Sequence, residues 1–411
     1  MVEHKDTLGS VCFPDDWNLV PLGKCVIENL SYGINASAIP YDGKSPSYIR
    51  ITDITEDGRY DDSDRKAVHT QERDKYLLHE GDIVLARTGA STGKSYLYDK
   101  RDGELVYAGF LIKASIDTVS HNPRFIVGQL RTPRYWSWVA ATSMRSGQPG
   151  INGKEYSSFP VPVASKKEQD AIADTLTDFD DHIANLTELI EKKKAIRDGA
   201  LEDLVSGRTR LSGFSELWTE SCLGSIGTFT KGAPLSKADI AETGTPFILY
   251  GELYTTYGEV TYTVYRHTKE TVENVHYSRV GDVIIPTSGE TAEEIATACC
   301  VMVPGVILAG DLNIYRSPEL DGRFLSYAIK HVVNRQISEL AQGISIIHIN
   351  AKTLKKIVVR YPKRMEQSAI ADIIDTMDAE IKALEEERDK LIQIREGAMD
   401  DLLTGRVRLT V

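Results

Sequence analysis

Glu168-Gln169-Asp170-Ala171-Ile172-Ala173-Asp174 opens a segment that returns 198 positions later as Glu366-Gln367-Ser368-Ala369-Ile370-Ala371-Asp372. The match runs without a gap to Gly207-Arg208-Thr209-Arg210-Leu211 and Gly405-Arg406-Val407-Arg408-Leu409, and about half of its positions are identical. A repeat of this length indicates a duplicated architecture, which every other assignment has to accommodate.

Each copy of the segment has the hydrophobic period of a long helix that packs against a partner. Apolar residues follow one another in alternating steps of four and three, which is the spacing of a coiled-coil seam. Ser165 and Glu168 are placed as in a capping box, and Gly207 and Gly405 stand where a C-terminal cap is expected. The predicted interface residues are Ile172, Leu176, Phe179, Ile183, Leu186, Ile190, Arg197 and Leu204 in the first helix, and Ile370, Ile374, Met377, Ile381, Leu384, Leu391, Arg395 and Leu402 in the second.

We expect the two helices to pack as an antiparallel coiled coil, each roughly 50 to 60 Å long at ~1.5 Å per residue. Lys193, Arg197, Arg388 and Arg395 interrupt the seams. Polar residues at such positions fix register and partner choice, so they favour the paired arrangement. The alternative is that each helix packs only on its own domain.

Shorter landmarks repeat upstream of the helices. Phe13, Trp17 and Leu22-Gly23 match Phe214, Trp218 and Leu223-Gly224, and Gly81-Asp82-Ile83-Val84 matches Gly281-Asp282-Val283-Ile284. The inserts between the landmarks differ from each other, and they alternate β-branched and aromatic runs with Gly, Asn and Pro, which predicts strand-rich domains. The predicted fold is therefore α+β, with two mixed, strand-rich domains separated by two long helices. A pseudo-twofold relation between the repeats would make the molecule quasi-cyclic and bring its termini together.

Composition sets the broad class of the protein. The chain has 411 residues, a net charge of −12 and five cysteines that form no CxxC pair. It has no apolar run near the roughly 18 to 20 residues that span a bilayer, and its N-terminus does not resemble a secretion signal. We therefore expect a cytoplasmic protein without membrane contact. Taken over the whole chain, a net charge of −12 argues against nucleic acid as a partner, because a protein needs local positive charge to bind a phosphate backbone.

The distribution of the charge changes that inference. Residues 161–211 and 361–411 carry −7 of the −12, whereas 1–160 and 212–360 carry only −2 and −3. Two stretches without acids, 118–154 and 340–365, occupy equivalent places in the two repeats and contain many Lys and Arg residues. A solvated basic face is one explanation, but the recurrence favours contact with phosphate.

No motif of the chain predicts catalysis. Gly89-Ala90-Ser91-Thr92-Gly93-Lys94-Ser95 resembles a P-loop, but it is one residue short, and the next residues, Tyr96-Leu97-Tyr98, predict a strand instead of the required helix. The equivalent Thr287-Ser288-Gly289-Glu290-Thr291 has no Gly-Lys pair. The nine histidines show no metal-ligand spacing. We expect no metal, no cofactor and no catalytic residue.

Over nearly its whole length the chain resembles the DNA-specificity (S) subunits of type I restriction–modification systems. Both Glu-Gln-x-Ala-Ile-Ala-Asp segments carry the resemblance. So do Tyr48-Ile49-Arg50-Ile51-Thr52-Asp53-Ile54, Gly81-Asp82-Ile83-Val84-Leu85-Ala86-Arg87-Thr88-Gly89-Ala90, Gly281-Asp282-Val283-Ile284-Ile285-Pro286-Thr287-Ser288-Gly289-Glu290-Thr291-Ala292 and Gly310-Asp311-Leu312-Asn313-Ile314.

The resemblance implies target-recognition domains at 1–160 and 212–360 and helical spacer regions at 161–211 and 361–411. It implies double-stranded DNA, two methyltransferase (M) subunits and restriction (R) subunits as partners, with the chemistry left to the partners. The alternatives are a specificity subunit for a different DNA-targeting defence effector, a purely structural coiled-coil scaffold and a P-loop nucleotide-binding enzyme.

Candidate DNA contacts come from the repeated loops and the basic stretches, where Arg, Gln, Asn, Ser and Thr can contact phosphates and bases. In the first half they are Arg50, Arg87, Thr88, Ser91, Thr92, Lys94, Arg131, Arg134, Arg145, Ser146, Gln148, Asn152 and Lys154. In the second half they are Thr287, Ser288, Glu290, Thr291, Arg335, Gln342, Ser345, His348, Asn350 and Lys352.

Overall fold

The structure is a computed structural model that describes residues 2–6, 9–144, 150–271, 277–291, 294–341 and 347–410. It has an α+β fold and divides into two compact units. One unit holds the chain up to Leu186 together with the residues from Glu387 onward, and the other is Thr187–Glu386. Each unit therefore contains one strand-rich domain and a part of both long helices.

The described strands are numbered in chain order. The first half contains β1 (Val2–Asp6), β2 (Gly9–Phe13), β3 (Asn18–Pro21), β4 (Ser31–Tyr32), β5 (Ile39–Pro40), β6 (Ser47–Ile49), β7 (Lys66–Ala67), β8 (Asp82–Ala86), β9 (Ser95–Leu97), β10 (Leu105–Tyr107), β11 (Leu111–Ser115) and β12 (Pro160–Val163). The second half contains β13 (Thr219–Cys222), β14 (Thr228–Lys231), β15 (Thr245–Leu249), β16 (Val260–Thr261), β17 (Arg266–Thr268), β18 (Asp282–Pro286), β19 (Ser288–Gly289), β20 (Cys299–Val301), β21 (Ile307–Ala309), β22 (Leu312–Arg316), β23 (Ile347–His348) and β24 (Val358–Tyr361).

The helices follow the same duplication. They are α1 (Arg73–Tyr76), α2 (Pro123–Gln129), α3 (Pro133–Ser143), α4 (Gly153–Ser158), α5 (Lys166–Ser206), α6 (Leu223–Ile226), α7 (Gly322–His331), α8 (Asn334–Leu340), α9 (Ala351–Leu354) and α10 (Arg364–Thr404).

The two halves share one sheet topology although their sequences diverge. The order β4-β11-β8-β9 of the first half matches β14-β22-β18-β20 of the second, and β16 is added at the edge of the second sheet. A second sheet is also repeated, with the order β10-β6-β7 in one half, where β5 is added at the edge, and β21-β15-β17 in the other. In both of these sheets one pair is parallel, β6 with β10 and β15 with β21. The described strands thus form two repeated strand-rich domains.

The repeated segments are helices α5 and α10, each 41 residues long. At the start of α5, the Glu168 N–H donates to the Ser165 hydroxyl at 3.3 Å, which caps the first turn. Gly207 and Gly405, which follow the helix ends, have φ values of +74° and +69°. That left-handed conformation ends a helix at little cost only where the residue lacks a Cβ, so the two glycines are positioned C-caps.

Both long helices pack into the core of each unit. In the first unit, Ile172 and Leu176 of α5 lie in one cluster with Leu402 and Leu403 of α10, and the Gln129 amide donates to the Leu403 carbonyl at 2.7 Å. In the second unit the core takes Leu201, Leu204 and Val205 from α5, and Ile370, Ala371 and Ile374 from α10. The alternative that each helix packs only on its own domain is therefore wrong.

All predicted interface residues are shielded to some degree. Nine are buried, namely Ile172, Leu176, Leu186, Ile190, Leu204, Ile370, Ile374, Ile381 and Leu402. The others, Phe179, Ile183, Arg197, Met377, Leu384, Leu391 and Arg395, are partly buried.

Ion pairs join the helices within each unit. In the second unit Lys193 lies 2.7 Å from Glu380, and Arg197 lies 2.9 Å from Asp378. In the first unit Arg395 lies 3.1 Å from Asp180. Arg388, the fourth basic seam residue, pairs with its neighbour Asp389.

Candidate nucleic-acid interface

Two loop clusters with the same backbone geometry follow the central strands of the two domains. Arg87 comes directly after β8, and its carbonyl accepts a hydrogen bond from Ile151 N–H at 2.9 Å. Thr287 comes directly after β18, and its carbonyl accepts from Ile349 N–H, also at 2.9 Å. The N–H groups of Arg87 and Thr287 donate in turn to the carbonyls of Phe110 and Asp311. The duplicated backbone therefore presents different side chains at one equivalent position.

In the first domain the cluster contains an arginine beside two aromatic rings. The Arg87 guanidinium carbon lies 5.2 Å from the Tyr32 ring centroid and 5.8 Å from that of Phe110. Both rings are substantially exposed, 45% for Tyr32 and 53% for Phe110. The Arg87 Nε donates to the Gly109 carbonyl at 3.2 Å, which holds the side chain in place. An arginine held between exposed rings can contact a phosphate or a guanine edge, and the rings offer stacking surface.

In the second domain the equivalent place is a cavity of about 500 Å³ with both polar and apolar side chains in its lining. Lys231 and Asn313, which lie opposite each other on β14 and β22, contribute to its wall. The full lining is Phe229, Thr230, Lys231, Thr287, Asn313, His348, Ile349, Asn350 and Ala351. Such a mixture of donors and acceptors suits hydrogen bonding to base edges and sugar–phosphate groups.

Sequence reasoning identified only part of these clusters. It named Arg87, Thr287, His348 and Asn350, but it missed Tyr32, Phe110, Thr230, Lys231 and Asn313. The missed residues reach the site through strand pairing across the sheet, which leaves no local pattern in the sequence. Tyr32 is the last residue of β4, which pairs with β11, and Lys231 is the last residue of β14, which pairs with β22. Because β4 and β14 have equivalent places in the two sheets, the repeat could have pointed to both residues.

Asn152 and Asn350 act as helix caps. The Asn152 side-chain oxygen accepts from the N–H groups of Lys154 and Glu155, at 2.9 and 3.0 Å, before α4. The Asn350 oxygen accepts from Thr353 N–H at 3.0 Å, before α9. Lys154 and Lys352, in the first turns of these helices, are exposed.

Two arginines that were predicted to contact DNA instead bind groups within the protein. Arg50 forms an ion pair with Asp53 at 2.6 Å and with Asp64 at 3.2 Å, and hydrogen bonding to Asp53 raises its pKa. Arg134 donates to the Pro160 carbonyl and lies over the Phe159 ring.

The remaining predicted residues are distributed as follows. Thr88 and Ser91 are partly buried, and Thr92 is buried with its hydroxyl on the Gly89 carbonyl. Ser288 is buried opposite His348. Glu290 and Thr291 are exposed, and the Glu294 carboxylate accepts a hydrogen bond from the Glu290 N–H, while the Glu294 N–H donates to the Thr291 hydroxyl. Arg335 is exposed and pairs with Glu339.

Lys94 and Arg131 line a separate cavity in the first unit. Arg145, Ser146, Gln148, Gln342 and Ser345 lie outside the described residues.

The P-loop-like segment does not have the architecture of a nucleotide site. Gly89–Ser91 is one 3₁₀ turn, and Ser95–Leu97 is strand β9, as the sequence predicts. A P-loop holds phosphate at the N-terminus of the helix that follows it, and here no helix follows. The second half has strand β19 at Ser288–Gly289.

Two kinds of site are absent from the described part of the chain. No helix there is long and apolar enough to cross a membrane. No group of three or more His, Cys, Asp or Glu side chains there is placed to hold a metal ion.

Comparison with known proteins gives a consistent family. The family model described as "Type I restriction modification DNA specificity domain" matches residues 33–195 and again 215–393. The type I restriction enzyme MjaVIII specificity subunit of Methanocaldococcus jannaschii is 20% identical over 81% of this chain and 80% of its own. The putative MjaX specificity subunit of the same organism is 23% identical, over 98% and 96%.

Solved structures share the fold. The type I restriction–modification S subunit from M. genitalium matches with a TM-score of 0.57 and 20% identity, over 94% of this chain and 96% of its own. The HsdS subunit from Thermoanaerobacter tengcongensis matches with a TM-score of 0.50 and 14% identity, over 99% and 100%.

Proposed function

The chain belongs to the family of type I restriction–modification DNA specificity subunits, and from this premise we propose that it reads a bipartite, asymmetric DNA site. The recognition domains are residues 1–160 and 212–360, and each reads one half of the site. The chain carries no chemistry of its own. Methylation and cleavage belong to two M subunits and to the R subunits that assemble on it, in the cytoplasm where host DNA lies.

The loop clusters carry this proposal. Backbone hydrogen bonds at Arg87 and Thr287 repeat almost atom for atom, whereas the side chains change from an arginine between rings to a cavity with Lys231 and His348. A duplicated frame that conserves geometry and varies chemistry is suited to read two different sequences. Direct readout requires different donors and acceptors for different base pairs.

We further propose that α5 and α10, in spacer regions 161–211 and 361–411, form an antiparallel coiled coil related by a pseudo-twofold axis. The inter-helix ion pairs of Arg197 with Asp378 and of Arg395 with Asp180 support it, because the repeat offset converts one pair into the other. The Asp16–Arg408 pair, at 2.8 Å, supports the quasi-cyclic frame. Such a scaffold fixes the spacer between half-sites and carries the M subunits.

The test is methylome sequencing of a host that expresses the chain with its M subunits. One pair of variants addresses each domain: Arg87→Ala with the exposed Arg101→Ala as control, and Lys231→Ala with the exposed Lys237→Ala as control. We expect Arg87→Ala to lower discrimination in one half-site only, by roughly 10- to 100-fold per lost base contact. Lys231→Ala should affect the other half, and both controls should methylate the wild-type motif.

Two results would contradict the proposal. Arg87→Ala and Lys231→Ala could alter the same half-site, or both could leave the methylated motif unchanged. The remaining alternative is a specificity subunit that serves a different DNA-targeting defence effector. Affinity purification of the wild-type chain tests it, because that effector would then replace the M subunits among the bound proteins.

A further inference from the structure

A cavity of about 170 Å³ in the first unit is lined by three basic side chains. Lys94 lies next to β9, Arg131 follows α2, and Arg395 lies on α10. Leu130, Trp136 and Met399 form apolar walls. Glu56 and Asp57 lie at the rim with highly exposed side chains, 87% and 60%. The cavity is separate from the two loop clusters that carry the proposed function.

Arg131 is the unusual member of this cavity. Its guanidinium donates to the Gly58 carbonyl at 3.1 Å, while its buried Nε has no hydrogen-bond partner. Among the described residues no carboxylate forms an ion pair with it. Burial of the guanidinium, with a smaller contribution from the charge of Arg395, lowers the pKa of Arg131 to about 10, although the charges of Asp180 and Asp57 oppose this shift. Arg131 is partly buried as a residue, and a buried N–H donor without an acceptor is costly, so this donor calls for an anionic partner.

The other two cations are only partly neutralised. Lys94 donates to the Ile54 carbonyl at 3.2 Å and reaches the exposed Glu56 at 2.7 Å. Arg395 forms an ion pair with Asp180, with Nε 3.1 Å from one carboxylate oxygen and a hydrogen bond from the guanidinium to the other at 3.4 Å, but its buried Nε has no well-aligned hydrogen bond. Arg131 and Arg395 therefore each keep one buried N–H donor without an acceptor.

The second unit shows what occupies the equivalent place. Arg197 corresponds to Arg395 at the helix offset of 198, and Lys330 corresponds to Arg131 at an offset of 199. The offset of 199 is that between Asn122 and Asp321, which make the same hydrogen bond in the two units. Their N–H groups donate to the side-chain oxygens of Gln169 and Gln367, respectively. Arg131, just after α2, and Lys330, in the last turn of α7, thus both lie near the end of the corresponding helix.

A buried carboxylate bridges the pair in the second unit. Glu259 lies 3.0 Å from Lys330, 3.2 Å from His331 and 3.7 Å from Arg197. Its side chain is only 11% exposed. In the first unit the corresponding turn reads Gly58-Arg59 where the second reads Gly258-Glu259. The first unit keeps the basic residues but replaces the acid with a further cation.

We propose that the Lys94–Arg131–Arg395 cavity binds a phosphate-class oxyanion, which takes the position of the missing carboxylate. The anion is either free in solution or a phosphate of a nucleic-acid backbone. Tetrahedral oxyanions accept several charge-assisted hydrogen bonds at once, and arginine is the side chain best suited to donate them. Bound there, the anion joins the first recognition domain to the C-terminal part of α10 and stabilises the unit.

The experiment is titration of the full-length chain, without DNA, with sodium phosphate against sodium chloride at equal ionic strength. Calorimetry and thermal unfolding report binding and Tm. We expect a saturable binding isotherm and a saturable rise in Tm for the wild type. Arg131→Met should weaken binding about 10-fold or more, the effect of losing one charge-assisted hydrogen bond. Arg388→Met, on the same helix but away from the cavity, should bind as the wild type does.

Phosphate also stabilises proteins weakly and without saturation through exclusion from their surface, and that rise should persist in all variants. If Arg131→Met does not fold, Lys94→Met at the cavity edge provides the same comparison. A random-sequence duplex distinguishes the source, because it competes with phosphate only where the site takes a backbone phosphate. A wild type without saturable binding, or cavity variants that bind as tightly as Arg388→Met, would overturn the proposal. The readout does not involve sequence recognition, so its failure is distinct from a failure of the proposed function.

Discussion

At the scale of single residues, Glu259 shows how one buried acid organises several cations. Burial alone would raise its pKa, but the hydrogen bond to His331 and the charge of Lys330 more than reverse this, and the pKa falls well below its ordinary value near 4.5. We expect Glu259→Gln to lower the free energy of unfolding by about 1.5 to 3 kcal/mol at neutral pH, because it removes the charged acceptor that Lys330, His331 and Arg197 share. Urea unfolding measures this, and the exposed Glu242→Gln is the control.

The same residue has a defined pH dependence. A carboxylate with a lowered folded-state pKa stabilises the protein at pH values above its ordinary pKa, and this contribution is lost as the pH falls through the folded value. The difference in unfolding free energy between wild type and Glu259→Gln should therefore be full near pH 7 and shrink below about pH 4.5. A difference that stays constant down to pH 3 would contradict this account of Glu259.

Residue roles were the least predictable part of the site. Composition indicated that Arg50 and Arg134 could bind DNA, but Asp53 and the Pro160 carbonyl occupy their guanidinium groups. A local sequence pattern records that a residue is basic. It does not record which carboxylate or carbonyl the fold brings to it, because such partners are set by tertiary packing.

At the scale of elements, the residues that the periodicity of α5 and α10 assigns to the seams are buried or partly buried, since a helical period fixes which side chains share a face. The strand order could not be predicted in the same way. Strand β6 pairs in parallel with β10, far away in the chain, and short apolar runs carry no information about such partners.

The predicted seam of α5 can be tested through protein stability, with a control residue on the same helix. Ile190 is fully buried, whereas Ile196 is 60% exposed. Ile190→Ala should lower the free energy of unfolding by about 2 to 4 kcal/mol through lost burial and a residual cavity. Ile196→Ala should change it by less than about 0.5 kcal/mol. Equal losses in chemical denaturation would show that the seam is misassigned.

The exposed positions of the helices predict where partners bind. Ile196 and its repeat equivalent Ile394 are 60% and 47% exposed. They stand at equivalent positions on the two charged helices to which the proposed function assigns the M subunits. The Ile196→Asp and Ile394→Asp variants should reduce the yield of co-purified M subunit while keeping the Tm within a few degrees. Full recovery of M subunit with the double variant would place the docking surface elsewhere.

At the scale of the whole molecule, the charge of −12 reflects two different surfaces. The spacer regions, which the proposal assigns to protein contacts, hold most of the excess acid, and the recognition domains are nearly neutral. The total therefore says little about DNA binding, because phosphate responds to local charge within about a Debye length of ~8 to 10 Å.

The duplication makes a prediction about half of the chain. In the second unit, Leu201, Leu204 and Val205 of α5 fill the core, and the fragment 212–411 lacks them. The equivalent residues of α10, Met399, Leu402 and Leu403, are present in the fragment. A second copy of the fragment can therefore supply the missing helix end, and each copy completes the other.

We accordingly expect fragment 212–411 to form a homodimer and, with M subunits, to direct methylation to a palindromic site made of two copies of the second half-site. Analytical ultracentrifugation and methylome sequencing test the two parts. Leu402→Glu should give a monomer, because it removes the residue that replaces Leu204 in the core, whereas Ile394→Glu should remain dimeric. A wild-type fragment that is monomeric at micromolar concentration would rule out this exchange of helix ends and, with it, the pseudo-twofold frame.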